Sequence, residues 1–132
     1  MIISTACYIG KVFISPIDVL LDSHTVVQPD IIFISKNNLS IITEKNIQGN
    51  PNLTIEILSP GTIQKDRIVK MKTYAKHGIK HLWLIDPENQ TLESFELDRK
   101  KTCRLVSGIA GEEEFKPSLF PNLTIPLKKL WG

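Results

Sequence analysis

The sequence has few of the residues from which disulfide-stapled or zinc-binding proteins are built. Its 132 residues include two cysteines, Cys7 and Cys103, which lie far apart and match no metal-ligand spacing. The three histidines, His24, His77 and His81, form no zinc motif. The composition therefore excludes a disulfide framework and predicts a reduced, cytoplasmic protein without a zinc site.

Long apolar runs and a strong net charge are also missing. No stretch is long enough to cross a membrane, and the apolar start lacks the basic residues of a signal peptide, so we expect no membrane partner. The 7 glycines and 8 prolines are too few for a collagen-like or low-complexity chain. A net charge of +2 does not by itself indicate a nucleic-acid partner.

Isoleucine is abundant, at 19 of 132 residues. Because β-branched side chains pack well on a pleated surface, this excess favours a protein rich in strands. The length suffices for one hydrophobic core, so we predict a single domain over residues 1–132.

Alternating apolar patterns and turn residues predict several strands and one helix. The expected strands cover residues 28–35, 53–58, 81–85, 91–97, 103–107 and 123–127, with an extended segment at 11–21, a loop over 36–50 and a turn at 86–89. The helix follows the strand at 53–58, with Thr62 as its N-cap and Gly78 just past its end. This order predicts an α/β or α+β fold, with a mixed central sheet and a flanking helix.

The helix carries a narrow apolar stripe. At 100° per residue, Ile68, Met71 and Ala75 fall within one arc, which we expect to face the core. Lys70 borders this stripe on a side that it shares with Tyr74. From this position Lys70 could reach back to the preceding strand.

Two acidic residues stand in apolar strand sequence, where a carboxylate needs a partner. Asp30 opens the apolar run of one strand and Glu56 interrupts another. If the strands are neighbours, the two carboxylates can converge and bind a divalent cation such as Mg²⁺. The alternative is structural: Glu56 pairs with a helix lysine, and Asp30 caps a strand or turn.

Basic residues are concentrated in two segments. Residues 65–80 hold six Lys or Arg against one acid, Asp66. A second cluster consists of Arg99, Lys100, Lys101 and Arg104. Each cluster is either an ordinary solvated surface or a contact for an anionic partner such as nucleic acid.

Five blocks of sequence together resemble one protein family. They are Gln28-Pro29-Asp30, residues 51–62, the group Asp66, Arg67 and Lys70, the pair Tyr74 and Gly78, and residues 82–87. In order and spacing they are similar to the Uma-two family of putative restriction endonucleases, a branch of the PD-(D/E)XK nuclease superfamily. The resemblance runs from about Gly10 to the C-terminus.

The resemblance implies a restriction-endonuclease-like fold and a Mg²⁺- or Mn²⁺-dependent nuclease that hydrolyses DNA phosphodiester bonds. Asp30 and Glu56 match the metal-binding acids. The superfamily's usual lysine slot, two residues after the second acid, holds Leu58, and Lys70 matches the position to which this lysine has migrated in the family. Lys72 is the weaker substitute for Lys70. In such a nuclease the basic helix would contact the DNA phosphates, and the expected DNA-binding residues are Lys65, Arg67, Lys72 and Lys76.

Two departures from the family pattern imply an alternative. Relatives carry a further N-terminal segment with an additional acid, so we expect this chain to be truncated relative to them. Asn52 stands where many relatives have aspartate, and if that acid binds metal in relatives, the metal site here is weaker. The alternative is an inactive nuclease-like remnant that binds nucleic acid, or that covers its exposed sheet by forming a homodimer. The isoleucine content and the resemblance suggest a bacterial source.

Overall fold

The computed structural model describes residues 9–61 and 64–132, with the side chains of 64–66 excepted. Eleven strands occur in this part of the chain: β1 (Gly10–Ile14), β2 (Val19–Leu20), β3 (Val26–Val27), β4 (Ile31–Ser35), β5 (Ile47–Gln48), β6 (Leu53–Ile57), β7 (His81–Asp86), β8 (Thr91–Leu97), β9 (Cys103–Ala110), β10 (Glu114–Phe115) and β11 (Ile125–Pro126). The helices are α1 (Gln64–His77) and two 3-10 helices, Lys36–Ile41 and Leu127–Leu130. The predicted N-cap, Thr62, lies outside the described residues.

Six strands form the central sheet, in the order β1-β4-β6-β7-β8-β9. Among the strand pairs of this central sheet, β6 and β7 are the parallel one. Helix α1 provides the crossover that a parallel pair requires. The prediction of an α+β fold with a mixed central sheet and a flanking helix is confirmed. No helix within the described residues is long and apolar enough to cross a membrane.

The inner strands β4, β6 and β7 are buried on both faces of the sheet, whereas the edge strand β9 is largely exposed. One face packs against the C-terminal segment, where the rings of Trp83 and Phe115 meet edge to face with centroids 4.9 Å apart. The opposite face packs against α1 and a small sheet of order β3-β2-β5. Alternation along β6 decides which side chain faces which layer, so Leu53 and Ile55 face the C-terminal segment, while Thr54 and Glu56 face α1.

The predicted orientation of α1 is wrong in one respect. Ile68 was expected to face the core, yet it is 42% exposed, while Tyr74 is only 3% exposed. Met71 packs against the core beside Tyr74, as the stripe predicted. The apolar pattern alone predicts the wrong inner face of α1, because two polar side chains of the helix, Lys70 and Tyr74, also turn inward and hydrogen-bond to Glu56 of the sheet.

The C-terminus of α1 is fixed by a glycine in the left-handed region. Gly78 has φ +86°, and the amides of Gly78 and Ile79 donate to the carbonyls of Ala75 and Tyr74. This is the Schellman arrangement, which satisfies carbonyls that the helix itself leaves free. Asn50 adds a side-chain donor to the carbonyl of His77. The predicted end at Gly78 is confirmed.

Thr54, on the α1-facing side of β6, is fully buried, and its hydroxyl has no hydrogen-bond partner within the described part of the chain. An unsatisfied buried hydroxyl carries a desolvation cost of roughly 1–3 kcal/mol. We expect Thr54→Val to raise the free energy of unfolding by about 1 kcal/mol, measured by urea denaturation. Thr73→Val is the control, because the Thr73 hydroxyl donates to the Val69 carbonyl. Lower stability of Thr54→Val than of wild type would contradict the prediction.

His77 ties the end of α1 to the loop between β2 and β3. Its two ring nitrogens lie 2.8 Å from the Thr73 carbonyl and 2.8 Å from the Asp22 carboxylate. Both partners are acceptors, so both nitrogens donate when the ring is protonated, and these contacts raise the pKa of His77. The stabilisation is therefore complete below the unfolded pKa of about 6.5 and is lost as pH rises through the raised pKa.

We accordingly expect the unfolding temperature of the wild type to fall between pH 6 and 8.5 by more than that of His77→Gln. Differential scanning calorimetry across this range measures the difference. His24→Gln is the matched control, because it removes a histidine side chain two residues from Asp22 and should keep the wild-type pH dependence. Equal pH dependence in wild type and His77→Gln would refute the role of His77.

Candidate active site

Glu56 is the buried acid around which the site is built. It lies near the end of β6, a strand with neighbours on both sides, and its side chain is 4% exposed. The apolar residues before and after it make the strand, so its carboxylate is carried into the sheet on the side that faces α1. A carboxylate in this position requires partners.

Asp30 lies next to Glu56. The antiparallel register of β4 and β6 pairs Ile31 with Ile55, and continuing it by one residue places Asp30 opposite Glu56. Directly opposite residues share a face of the sheet, so both acids lie on the α1 side. One oxygen of Asp30 accepts a hydrogen bond of 2.7 Å from the backbone amide of Ile57. The two acids predicted from the sequence are thus brought together.

Lys70 provides one partner of Glu56. Its Nζ lies 2.9 Å from Glu56 Oε1, and its side chain is 55% exposed. The structure therefore brings together all three residues expected at the catalytic centre. Leu58, in the usual lysine slot, lines the same pocket, and the ammonium group reaches the acid from the helix instead of from the strand.

Tyr74 provides the other partner and was missed as a site residue. Its hydroxyl donates to Glu56 Oε2 at 2.7 Å. Burial raises the pKa of Tyr74 well above its usual range, and the negative charges of Glu56 and Asp30 raise it further. The signal was available in the sequence, because Tyr74 follows Lys70 by four residues and side chains with that spacing share a helix face.

A second ion pair lies beside the first. Arg67 pairs with Glu93 of β8, and Arg67 lines the same pocket as Glu56 and Lys70. Glu56, Leu84 and Glu93 occupy successive positions in one row across three strands. Glu93 was not predicted as a site residue, although the alternation along β8 puts it on the face that α1 covers.

The expected DNA-contacting residues do not form one surface. Arg67 lies at the pocket and is engaged by Glu93. Lys72 and Lys76 line a groove on the other flank of α1, beside Lys101. The side chain of Lys65 lies outside the described residues.

Asn52 lies at the opposite end of β6 from Glu56. It precedes β6, and four residues of extended chain, about 13 Å, separate it from Glu56. Its Oδ1 accepts hydrogen bonds from the backbone amide of Ser35 and the side chain of Asn38. Asn52 is thus held by the segment around β4 and the first 3-10 helix, and its effect on a metal site stays a prediction.

The donor set of the site consists of two carboxylates. Within residues 9–61 and 64–132, no group of three or more His, Cys, Asp or Glu side chains is placed to hold a metal ion. Asp30 and Glu56 supply hard oxygen atoms on one face of the sheet. Mg²⁺ commonly binds to one or two carboxylates and completes its octahedral shell with water and substrate phosphate. The two acids therefore fit a magnesium ion, and no closed protein cage is present among these residues.

Comparison with solved structures supports the fold. The chain is similar to a putative nuclease belonging to DUF820 from Anabaena variabilis, with a TM-score of 0.71 and 23% sequence identity. The match covers 93% of this chain and 68% of that one. At this identity the likeness shows a shared fold. No curated protein matches the chain.

Comparison with family models identifies the relatives. The Uma2 model, described as "Putative restriction endonuclease", matches residues 4–128. That range includes the two acids on adjacent strands and the helix lysine that pairs with one of them. The chain belongs to the Uma2 family.

Proposed function

We propose that the chain is a divalent-metal-dependent nuclease that hydrolyses phosphodiester bonds of DNA, with Mg²⁺ or Mn²⁺ as its cofactor. The observation that carries this proposal is that Glu56 and Lys70 meet at one pocket, while the register of β4 and β6 continues to place Asp30 beside Glu56. The family description and the printed name of the structural neighbour support a nuclease. Hydrolysis adds water across one P–O bond, giving a phosphomonoester and a hydroxyl group.

Asp30 and Glu56 are the residues that would hold the metal ion. When bound, such an ion activates water and neutralises charge on the phosphoryl oxygens. The fixed protein groups prepare the carboxylates for this role. The Ile57 amide holds Asp30, and the Tyr74 hydroxyl holds Glu56, so neither side chain has to be ordered when a ligand arrives.

Lys70 would act on the substrate. Its ammonium carries three donors, and its side chain is largely exposed, so it can hydrogen-bond a phosphate oxygen or a water while it stays near Glu56. Positive charge placed where negative charge develops stabilises a transition state. Arg67 lies in the same pocket, but Glu93 engages its guanidinium group.

A second candidate function is a nuclease-like domain without catalysis. Its supporting observation is that both oxygens of Glu56 accept hydrogen bonds from α1, from Lys70 and Tyr74. This is the arrangement expected if Glu56 is a structural ion-pair partner. Such a domain would bind nucleic acid or assemble as a homodimer without cleaving DNA, and it would bind no metal at Glu56.

We expect Asp30→Asn and Glu56→Gln to abolish Mg²⁺ binding in isothermal titration calorimetry and nicking of supercoiled plasmid. Glu44→Gln is the matched control, because it removes the charge of an exposed acid between the first 3-10 helix and β5, outside the site pocket. Circular dichroism checks that every variant is folded. Unchanged Mg²⁺ binding in both site variants would reject the metal site and support the non-catalytic alternative.

Lys70→Gln separates chemistry from metal binding. We expect it to keep Mg²⁺ binding and to lower the single-turnover cleavage rate roughly a hundredfold, the usual effect of losing one donor to a transition state. Lys72→Gln is the matched control, since Lys72 lies on the other flank of α1. A full cleavage rate in Lys70→Gln, or an equal loss in Lys72→Gln, would show that Lys70 has no catalytic role.

A further inference from the structure

A groove runs along the flank of α1 that faces away from the site. Its floor is apolar and consists of Ile68, Met71, Ala75 and Cys103. Its edges are basic, with Lys72 and Lys76 on α1 along one side and Lys101 on the turn between β8 and β9 along the other. It does not include Asp30, Glu56 or Lys70.

The charges on the edges are uncompensated. Within residues 9–61 and 64–132, none of these three lysines makes an ion pair. Arg99, Lys100 and Arg104 are exposed in the same turn and the strand after it, so the cationic edge continues beyond the groove. The carboxylate of Asp98 accepts hydrogen bonds from the amides of Lys100 and Thr102, and residues 98–104 hold four cationic side chains against this one acid. An anionic partner therefore fits these edges.

The floor decides which anionic partner fits. A phosphate backbone would pair with the lysines but would leave the apolar floor uncovered. Single-stranded nucleic acid usually stacks its bases on aromatic rings, and none of the described residues that line this groove is aromatic. An acidic amphipathic helix matches both the apolar floor and the cationic edges. Its apolar stripe can lie on the floor while the carboxylates that flank the stripe contact lysines on each side.

We propose that the groove between α1 and the β8–β9 turn is a docking site for an acidic amphipathic helical segment of a partner protein. Ile68, 42% exposed on α1, is the apolar contact, and Lys72 and Lys101 are the cationic contacts from the two edges. The site is independent of the proposed nuclease chemistry, so each can fail without the other.

The alkylation rate of Cys103 reports whether a ligand occupies the groove. It lies half-buried in the floor, and the Cys7→Ser variant leaves it as the only thiol of the chain. Burial raises the pKa of the Cys103 thiol, so its alkylation is slow enough to follow by mass spectrometry. Iodoacetamide is the reagent, because it is uncharged and is not attracted to the lysines. A ligand seated on the floor must slow this alkylation.

The probe is a synthetic 18-residue helix with leucine at positions i, i+3, i+4 and i+7 and glutamate beside this stripe. We expect saturating probe to slow Cys103 alkylation at least fivefold and to bind with micromolar affinity in fluorescence anisotropy. A peptide of equal composition with scrambled leucines should bind at least tenfold more weakly and give no protection. A 20-base-pair DNA duplex, tested in EDTA, should also leave the alkylation rate unchanged.

The variants separate local contacts from net charge. Lys72→Glu/Lys101→Glu should weaken probe binding at least tenfold, and Ile68→Asn several-fold. Lys128→Glu/Lys129→Glu is the matched control, because it makes the same charge change on the 3-10 helix at the opposite face of the sheet and should bind like wild type. Protection by DNA instead of the peptide would overturn the proposal and assign the groove to phosphate. Absence of protection by either ligand, or equal loss in the control variant, would also overturn it.

Discussion

The burial of one carboxylate in the middle of the sheet constrains the rest of the site. Glu56 lies on a strand with neighbours on both sides and is almost inaccessible to solvent. An ionised carboxylate in such a place costs several kcal/mol unless donors replace the lost water. The donors come from α1, where Lys70 and Tyr74 stand one turn apart and take one oxygen each. The rotation of α1 on the sheet is thereby fixed by hydrogen-bond geometry.

This rotation gives the two flanks of α1 different chemistry. The inner flank carries cations that are matched to sheet acids, Lys70 with Glu56 and Arg67 with Glu93. The outer flank carries Lys72 and Lys76, which lack ion-pair partners in the described chain, together with an exposed Ile68. A helix turned to bury Ile68 would have moved Lys70 and Tyr74 away from Glu56. Satisfying the buried charge therefore took precedence over burying one apolar side chain.

Strand patterns could be predicted from the sequence because they depend on near neighbours. The apolar runs and turn residues located the strands of the central sheet, and Asp30 and Glu56 were identified as acids in apolar surroundings. The orientation of α1 could not be predicted from its apolar residues, since acids elsewhere in the chain determine it. For the same reason two contacts were missed: the hydrogen bond from Tyr74 to Glu56 and the ion pair of Arg67 with Glu93. Strand β9 also extends three residues beyond the predicted end, through Ala110, because pairing with β8 continues.

In the proposed nuclease, the unequal exposure of Glu56 and Lys70 would let one ion pair serve both stability and chemistry. The anion is fixed, since it is buried and held by Tyr74, whereas most of the lysine side chain lies in solvent. Moving the ammonium toward a substrate would cost little desolvation, because it is already hydrated, and Tyr74 would still satisfy Glu56. A lysine at position 58, immediately after β6, would stand on backbone held by the hydrogen bond from the Leu58 amide to the Ile85 carbonyl. In the proposed nuclease, a lysine on the helix would therefore leave the acid ordered while the cation could still move toward a substrate.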